Sequence, residues 1–211
     1  MTNRSALLVA FALTCASAAC VSHPDRPPAR TIANSTPPTL AELAALQESA
    51  TRPGREHRAL EPLAGAWITS NVAVDAQARE SDPVAGRAAI EWVLGGRYLR
   101  IDANLELPGG VLHTWSGFLG FDQAQEEYQW LMVSDLSTGM GVARGRGELS
   151  RAGIRFVLDV VDPRSGMQVR ATSLLRALAA DHLVLDQIGA DPDGLERVLR
   201  RTHYRRAPKV P

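Results

Sequence analysis

Two adjacent glycines, Gly95 and Gly96, lie between two runs of alternating apolar and polar residues. Both central positions of a type I′ turn need a positive φ, which glycine adopts with little strain, so the pattern predicts a two-residue β-hairpin. Counting outward from this turn predicts which residues face each other. One side pairs Leu94 with Arg97, Trp92 with Leu99 and Ile90 with Ile101, and the other pairs Val93 with Tyr98 and Glu91 with Arg100. One face of the hairpin is therefore apolar, and the other carries an ion pair.

About ten segments of strand length follow one another between residues 66 and 204, and turn-forming residues separate them. Short connections favour pairing between strands that are adjacent in sequence. An open sheet of this length would expose unpaired edges, so we expect an antiparallel meander closed into a barrel. The predicted strands are 66–74, 87–94, 97–107, 113–121, 128–134, 141–149, 154–161, 168–178, 182–188 and 197–204.

The first twenty residues have the layout of an export signal. Arg4 precedes the apolar run 6–14, and the small residues 16–19 follow it, as in a secretory signal peptide that is too short to span a bilayer. Cys15 lies inside this leader, so Cys20 is the single cysteine of the mature chain. The sequence Ser-Ala-Ala-Cys at this point resembles the lipobox of bacterial lipoproteins, whose cysteine carries the lipid. We expect an exported protein of the cell envelope, anchored at Cys20 on the periplasmic side of a membrane; a soluble periplasmic protein is the alternative.

The chain between this leader and the barrel changes composition twice. Residues 20–38 are rich in Pro, Ser, Thr and Asn and hold too few apolar side chains to fold, which predicts a disordered tether. Thr39 and Glu42 have the spacing of a capping box, which begins a short helix. The predicted organisation is a signal peptide at 1–19, the tether at 20–38, a helix at 39–52, a β-barrel domain at 53–206 and a tail at 207–211.

The charge balance bears on the class of partner. The chain has 23 Lys and Arg residues against 23 Asp and Glu residues, so no overall positive field favours nucleic acid, and we expect no nucleic-acid partner. Several arginines cluster at the C-terminus. A basic tail beside anionic lipid head groups is one alternative. We expect instead that these residues, with one lysine, lie at the solvated end of the last strand: Arg200, Arg201, Arg205, Arg206 and Lys209.

The sequence contains no motif for catalysis or for a cofactor. It has no Gly-x-Ser-x-Gly elbow, no His-Glu-x-x-His pair and no glycine-rich phosphate loop between a strand and a helix. The five histidines lack the spacing of metal ligands, so we expect neither a metal nor a cofactor. Distant histidines could still converge inside a barrel on a metal or a haem.

Aromatic residues in neighbouring strands are the candidates for a binding site. Trp92, Trp115 and Trp130 lie in successive or nearly successive predicted strands, where they can line or fill one cavity. Tyr98 and Arg100 would join them as ligand contacts if the polar face of the hairpin pointed inward. We expect the opposite orientation, with the glutamate–arginine pair exposed, because burying an ion pair costs more than it usually returns.

An ordered set of short motifs spans most of the chain. It comprises Pro53-Gly54-Arg55-Glu56-His57, the run from Leu60 to Trp67, the hairpin 91–100, Gly120-Phe121-Asp122, Ser137-Thr138-Gly139-Met140, Asp162-Pro163 with Gly166, and Tyr204-Arg205. This set resembles the bacterial domain of unknown function 1579 family over nearly all of residues 53–205. The resemblance implies a lipocalin-like barrel of unassigned activity. The predicted fold is therefore all-β, an antiparallel meander closed into a lipocalin-like barrel of about ten strands, with a short N-terminal helix.

Three functions are compatible with such a barrel. A barrel of this size can hold one small ligand, and we expect a small apolar or amphipathic ligand that is bound without catalysis. A filled barrel would instead be a structural or interaction module of the envelope. The third alternative is an enzyme acting on a small carbonyl or lipid substrate, which needs two inward carboxylates as acid and base. The candidates for that role are Glu91, Asp102, Glu106, Asp135 and Asp186.

Overall fold

The computed structural model of the protein describes residues 39–208, apart from 108, 162–165, 167 and 191–194. The predicted signal peptide, the tether and the lipid attachment at Cys20 lie outside the described residues. So does the end of the predicted tail, which includes Lys209.

Ten strands and three short helical segments make up the described chain. The helices are α1 (Leu40–Thr51) and α2 (Arg55–Ala59), followed by a 3-10 helix at Glu61–Leu63. The strands are β1 (Gly65–Ala73), β2 (Val84–Val93), β3 (Tyr98–Leu107), β4 (Val111–Asp122), β5 (Glu127–Ser134), β6 (Gly141–Glu148), β7 (Gly153–Val161), β8 (Gln168–Ala179), β9 (His182–Ala190) and β10 (Glu196–Arg206).

Each strand pairs in antiparallel fashion with its neighbours in sequence, and β1 pairs with β10 to close the ring. This confirms the predicted ten-strand meander and its closure into a barrel. Closure gives every strand two partners, so no sheet edge is left for another chain to pair with. Neither described α-helix has the length and apolarity that a bilayer crossing requires.

The hairpin between β2 and β3 has the predicted register but a different turn. The pairs Trp92 with Leu99 and Glu91 with Arg100 are present, and the ladder ends at Val93 with Tyr98. Four residues, 94–97, form the loop, so the predicted pair of Leu94 with Arg97 is wrong. The reason is that Arg97 leaves the strand: its Nε donates to the carbonyl of Thr51 at 2.6 Å and its Nη1 to that of Leu94 at 2.7 Å.

The N-terminal helix begins at its predicted cap. The backbone N–H of Thr39 donates to the carboxylate of Glu42 at 2.7 Å, and the N–H of Glu42 donates to the Thr39 hydroxyl at 3.3 Å. These two bonds are the reciprocal pair of a capping box. Leu40 and Leu43 remain 86% and 48% exposed, so the apolar residues of α1 do not belong to the barrel core.

One end of the barrel is plugged by the segment that precedes β1. Leu60 and Leu63 are buried there, and the indole Nε1 of Trp67 donates to the carbonyl of Leu63 at 2.8 Å. The guanidinium of Arg206 lies 4.0 Å from the Trp67 ring centre, and its Nη2 donates to the carbonyl of Pro62 at 2.9 Å. We call this the closed end.

The connections differ between the two ends of the barrel. Those at the closed end are short, at 94–97, 123–126, 149–152 and 180–181. Those at the opposite end lie at 74–83, 108–110, 135–140, 162–167 and 191–195, and most of them are longer. We call the latter the open end, because no helix of the described chain covers it.

A buried histidine holds the plug in place. His57 is 5% exposed, and its Nδ1 accepts the backbone N–H of Gly54 at 3.1 Å, so this nitrogen carries no proton. Burial lowers the pKa of His57, an effect larger than the opposing attraction of Glu56. The neutral ring is therefore the form that the fold requires.

We predict that stability falls when His57 is protonated. Because its folded-state pKa lies below the unfolded value of about 6.5, the unfolded chain binds the proton first as pH falls. The stabilisation is therefore complete above about pH 6.5 and is lost on acidification through that value towards the folded pKa. His57→Asn keeps an acceptor for Gly54 but does not titrate. Melting temperatures measured between about pH 7.5 and 5 should fall less in this variant, and an unchanged slope would contradict the assignment.

Candidate functional site

The strands alternate between side chains that face the barrel interior and side chains that face outward. In the half of the barrel next to the closed end, the interior side chains are packed tightly. Six of them are at most 1% exposed, namely Trp67, Leu99, Leu119, Ile154, Phe156 and Leu183. Phe156 fits because its neighbour Gly145 has no side chain: a Cβ there would lie 2.5 Å from the ring.

The interior side chains towards the open end are less covered. Several interior positions of this half are only half-buried, and others are exposed. The half-buried ones include Asn71, Trp115, Met132, Leu158 and Ser173, and Gln187 is among the exposed ones. Their register places them on the same face as the buried core residues, so solvent reaches the barrel interior through the open end. We call these positions the open half of the interior.

Two of the three predicted tryptophans lie together in the interior. The rings of Trp115 and Trp130 are 5.9 Å apart, and Trp130 makes an edge contact with Phe156 at 5.4 Å. Trp130 is 4% exposed, and its Nε1 has no hydrogen-bond partner among the described residues. Trp92 lies near the closed end instead, where its Nε1 donates to Glu61 at 2.6 Å. The expected cluster of three is therefore a pair.

Tyr98 and Arg100, the other two predicted contacts, face outward. The side chains of Arg100 and Glu91 are 46% and 57% exposed and form an ion pair, so the expected exposed bridge is confirmed. The alternative with the polar face inward is wrong. Tyr98 lies against Gly120, where a Cβ would be 2.6 Å from its ring, and borders a shallow outer cavity of about 230 Å³.

Two arginines expected in solvent face the interior. Arg200 pairs with Ala73 and Gln187, and Arg206 pairs with Trp67, all of which lie on the interior side. Arg200 is half-buried, and burial lowers its pKa. The expected solvated placement of these two residues is therefore wrong. The sequence did contain a signal for the inward position of Arg200. Tyr204 is a core residue, and every second residue before it on β10 lies on the same face.

The carboxylates named for an enzyme do not face the interior. Glu91, Asp102, Glu106 and Asp186 occupy outward positions of their strands. Asp135 lies in the loop after β5 and accepts hydrogen bonds from the N–H and hydroxyl of Thr114, at 2.8 and 3.0 Å. This placement removes the pair of inward acids on which that alternative depended.

His113 is the one interior histidine of the strands that the structure describes. It is 9% exposed, and its Nδ1 is hydrogen-bonded to Asp135. Within the described ranges, no group of three or more His, Cys, Asp or Glu side chains is placed to hold a metal ion.

Comparison with known proteins places this barrel in a family. A model of the family described as protein of unknown function (DUF1579) matches residues 52–206. The chain belongs to the DUF1579 family. Fifteen chains of solved structures match it, among them the crystal structure of Rv2717c from M. tuberculosis, with a TM-score of 0.54 and 14% identity. That match covers 74% of this chain and 100% of the other, and it shows a shared fold. No curated protein matches the chain.

We predict that Arg100→Ala changes the free energy of unfolding by less than about 1 kcal/mol, because both partners of its ion pair are exposed to solvent. Urea unfolding followed by circular dichroism gives this value. Arg87→Ala, an exposed outward arginine of β2, is the control. A loss well above that limit would show that the pair supports the barrel wall more strongly than exposed pairs usually do.

Proposed function

We propose that the barrel binds a small apolar or amphipathic ligand in the open half of its interior. One observation carries this proposal. Near the open end, side chains on the interior face of the strands are half-exposed, although the same face is buried near the closed end. A concave, partly apolar wall that solvent can enter is the usual setting for a small-molecule site.

The residues of this wall fit such a ligand. Trp115, Met132 and Leu158 supply apolar area, and Trp115 rests on the buried ring of Trp130. An aromatic ring held by its neighbours offers contact area without a large loss of side-chain freedom on binding.

The alternative is an interaction module whose interior is only a core. The packed half supports it, because Leu119, Trp130 and Phe156 leave little exposed surface there. The two proposals differ in whether the open half binds small molecules. A ligand site binds them, and a filled core does not.

Binding is tested on the mature chain carrying Cys20→Ser, with 1-dodecanol as a neutral amphipathic probe. We expect quenching or enhancement of tryptophan emission that saturates, and a matching adduct in native mass spectrometry. Trp115→Ala should weaken the affinity about tenfold or more, since it removes much of the apolar wall. Phe118→Ala is the matched control, because Phe118 is an aromatic residue of the same strand that faces outward and is 39% exposed.

The two proposals predict opposite results. Saturable binding that depends on Trp115 and not on Phe118 supports the ligand site. No binding of this probe, together with a bare mass after gentle purification, would favour the interaction module.

The proposal also includes export and a lipid anchor at Cys20, which rest on the leader and on the tether-like composition after it. The full-length chain, expressed in a bacterial host, should incorporate labelled fatty acid and sediment with membranes. Cys20→Ser should abolish both. Cys15→Ser is the matched control and should retain both, because that cysteine lies in the part removed on export. Label retained by Cys20→Ser would contradict the anchor.

A further inference from the structure

A hydrogen-bonded pair of a histidine and an aspartate lies where the barrel interior meets the open end. His113 stands opposite Leu105 in the β3–β4 ladder, and Leu105 is a buried residue of the interior face. Trp115, two residues later on β4, lies on the same face because side chains alternate along a strand. The imidazole of His113 is therefore the next interior side chain of β4 after Trp115 in the direction of the open end.

Asp135, the other member of the pair, is held in one orientation by Thr114. Its carboxylate accepts the backbone N–H of Thr114 at 2.8 Å and the Thr114 hydroxyl at 3.0 Å. Its own backbone N–H donates to the carbonyl of Thr114 at 3.2 Å. The hydrogen bond from the Thr114 backbone lowers the pKa of Asp135. The carboxylate is therefore ionised near neutral pH, and an ionised carboxylate can only accept hydrogen bonds.

This carboxylate determines the tautomer of His113. The two bonds from Thr114 end on Oδ2 of Asp135, and Oδ1 is hydrogen-bonded to Nδ1 of the imidazole. Because Oδ1 can only accept, Nδ1 must carry the proton. In a neutral imidazole the other nitrogen, Nε2, then has a lone pair and no proton, so it is an acceptor. Nε2 is also the nitrogen farther from the backbone of β4, so in this inward side chain it lies farther into the interior.

The acceptor at Nε2 has no hydrogen-bond partner among the described residues, although His113 is only 9% exposed. A buried acceptor without a partner costs free energy, and a donor that enters the open half recovers it. A metal ion needs several ligands, and the described ranges hold no group of three His, Cys, Asp or Glu side chains for one. A neutral group that donates one hydrogen bond fits this single acceptor better.

We propose that His113 binds the hydroxyl head group of an amphipathic ligand, whose O–H donates to Nε2. The alkyl part of the ligand lies deeper, against Trp115 and Met132, and its head group faces the open end. This inference rests on the proposed ligand site and names its ligand class, a long-chain alcohol or a similar neutral hydroxyl lipid. Asp135 is a positioning residue, because it acts on the ligand only through the tautomer of His113.

Two probes with the same alkyl chain test the head group on the mature chain with Cys20→Ser. 1-Dodecanol has an O–H to donate, whereas dodecyl methyl ether has only an acceptor oxygen. Both are titrated at about pH 8, where histidine is ordinarily neutral, with tryptophan emission as the readout. The quantity compared between variants is the ratio of the ether dissociation constant to the alcohol dissociation constant. We expect His113→Phe to lower this ratio about threefold or more, through weaker binding of the alcohol.

Asp135→Asn tests the tautomer itself. The amide oxygen of the variant accepts the Thr114 N–H, which turns the amide NH₂ group towards Nδ1 and moves the ring proton to Nε2. His113 then donates instead of accepting, so binding of the ether should strengthen. The alcohol should stay within about twofold of its original affinity, since its oxygen can accept as well as donate. A merely structural role of Asp135 would not strengthen binding of the ether.

His182→Phe and Asp102→Asn are the matched controls. His182 lies opposite Arg205 on the outward face of β9, and Asp102 faces outward and accepts the Ser116 hydroxyl at 2.7 Å. Both variants should keep the original ratio. If His113→Phe fails to fold, as judged by circular dichroism, nitrogen NMR of the imidazole in the unsubstituted barrel takes its place. It should find the proton of His113 on Nδ1.

The outcomes separate this inference from the proposal beneath it. An unchanged ratio in His113→Phe or in Asp135→Asn, or a proton on Nε2 in the NMR experiment, would overturn the hydroxyl head group while leaving the ligand site intact. Weaker binding of both probes in Asp135→Asn would assign that residue a structural role and would also overturn the inference. Failure of both probes to bind would overturn the inference and the ligand site together.

Discussion

The pairing of β1 with β10 is the contact on which the rest of the structure depends. It closes the ring, and its register decides which residues of the last strand face inward. Because side chains alternate with a period of two, a slip of one residue would exchange the two faces of β10. Tyr204, Thr202 and Arg200 would turn to solvent, and Arg201 and His203 would enter the interior. The seating of Arg206 on Trp67 helps to exclude that slip, since the same register places both at the closed end.

Opposite charges are sorted between the two faces of the wall. On the outside, Asp186 is 2% exposed and accepts Arg201 at 2.7 Å, together with Arg176. Arg201 also donates to Glu80 at 3.0 Å, which fixes the β1–β2 loop against the outer wall. A buried carboxylate is tolerated where cations surround it, because its desolvation is then offset. Within the described strands, the interior wall carries arginines and no aspartate or glutamate, so the two faces of the wall differ in charge.

Much of the fold could be predicted from local patterns. Gly95 and Gly96, with alternation on both sides, were enough for the register of β2 and β3 and for the exposed ion pair. The turn differed because Arg97 bonds to Thr51, a contact between segments far apart in sequence. The inward position of Arg200 could have been predicted by alternation from the core residue Tyr204, because the bulge of β10 lies between Val198 and Arg200 and does not interrupt that stretch. Trp92 left the predicted cluster because Glu61, in the plug, holds its indole. Alternation in the sequence shows which residues share a face of a strand. It does not show how far along the barrel axis a residue lies, because that depends on the stagger between neighbouring strands.

The plug connects the two ends of the folded chain. Its carbonyl at Pro62 accepts a hydrogen bond from Arg206, a residue 144 positions later, and β1 completes its ladder only with β10. Contacts between such distant residues carry a large loop-closure cost and form slowly. A nascent chain therefore lacks the partners that seal its first strand until its last strand has emerged. A chain interrupted before β10 would expose two unpaired strand edges and an undocked plug.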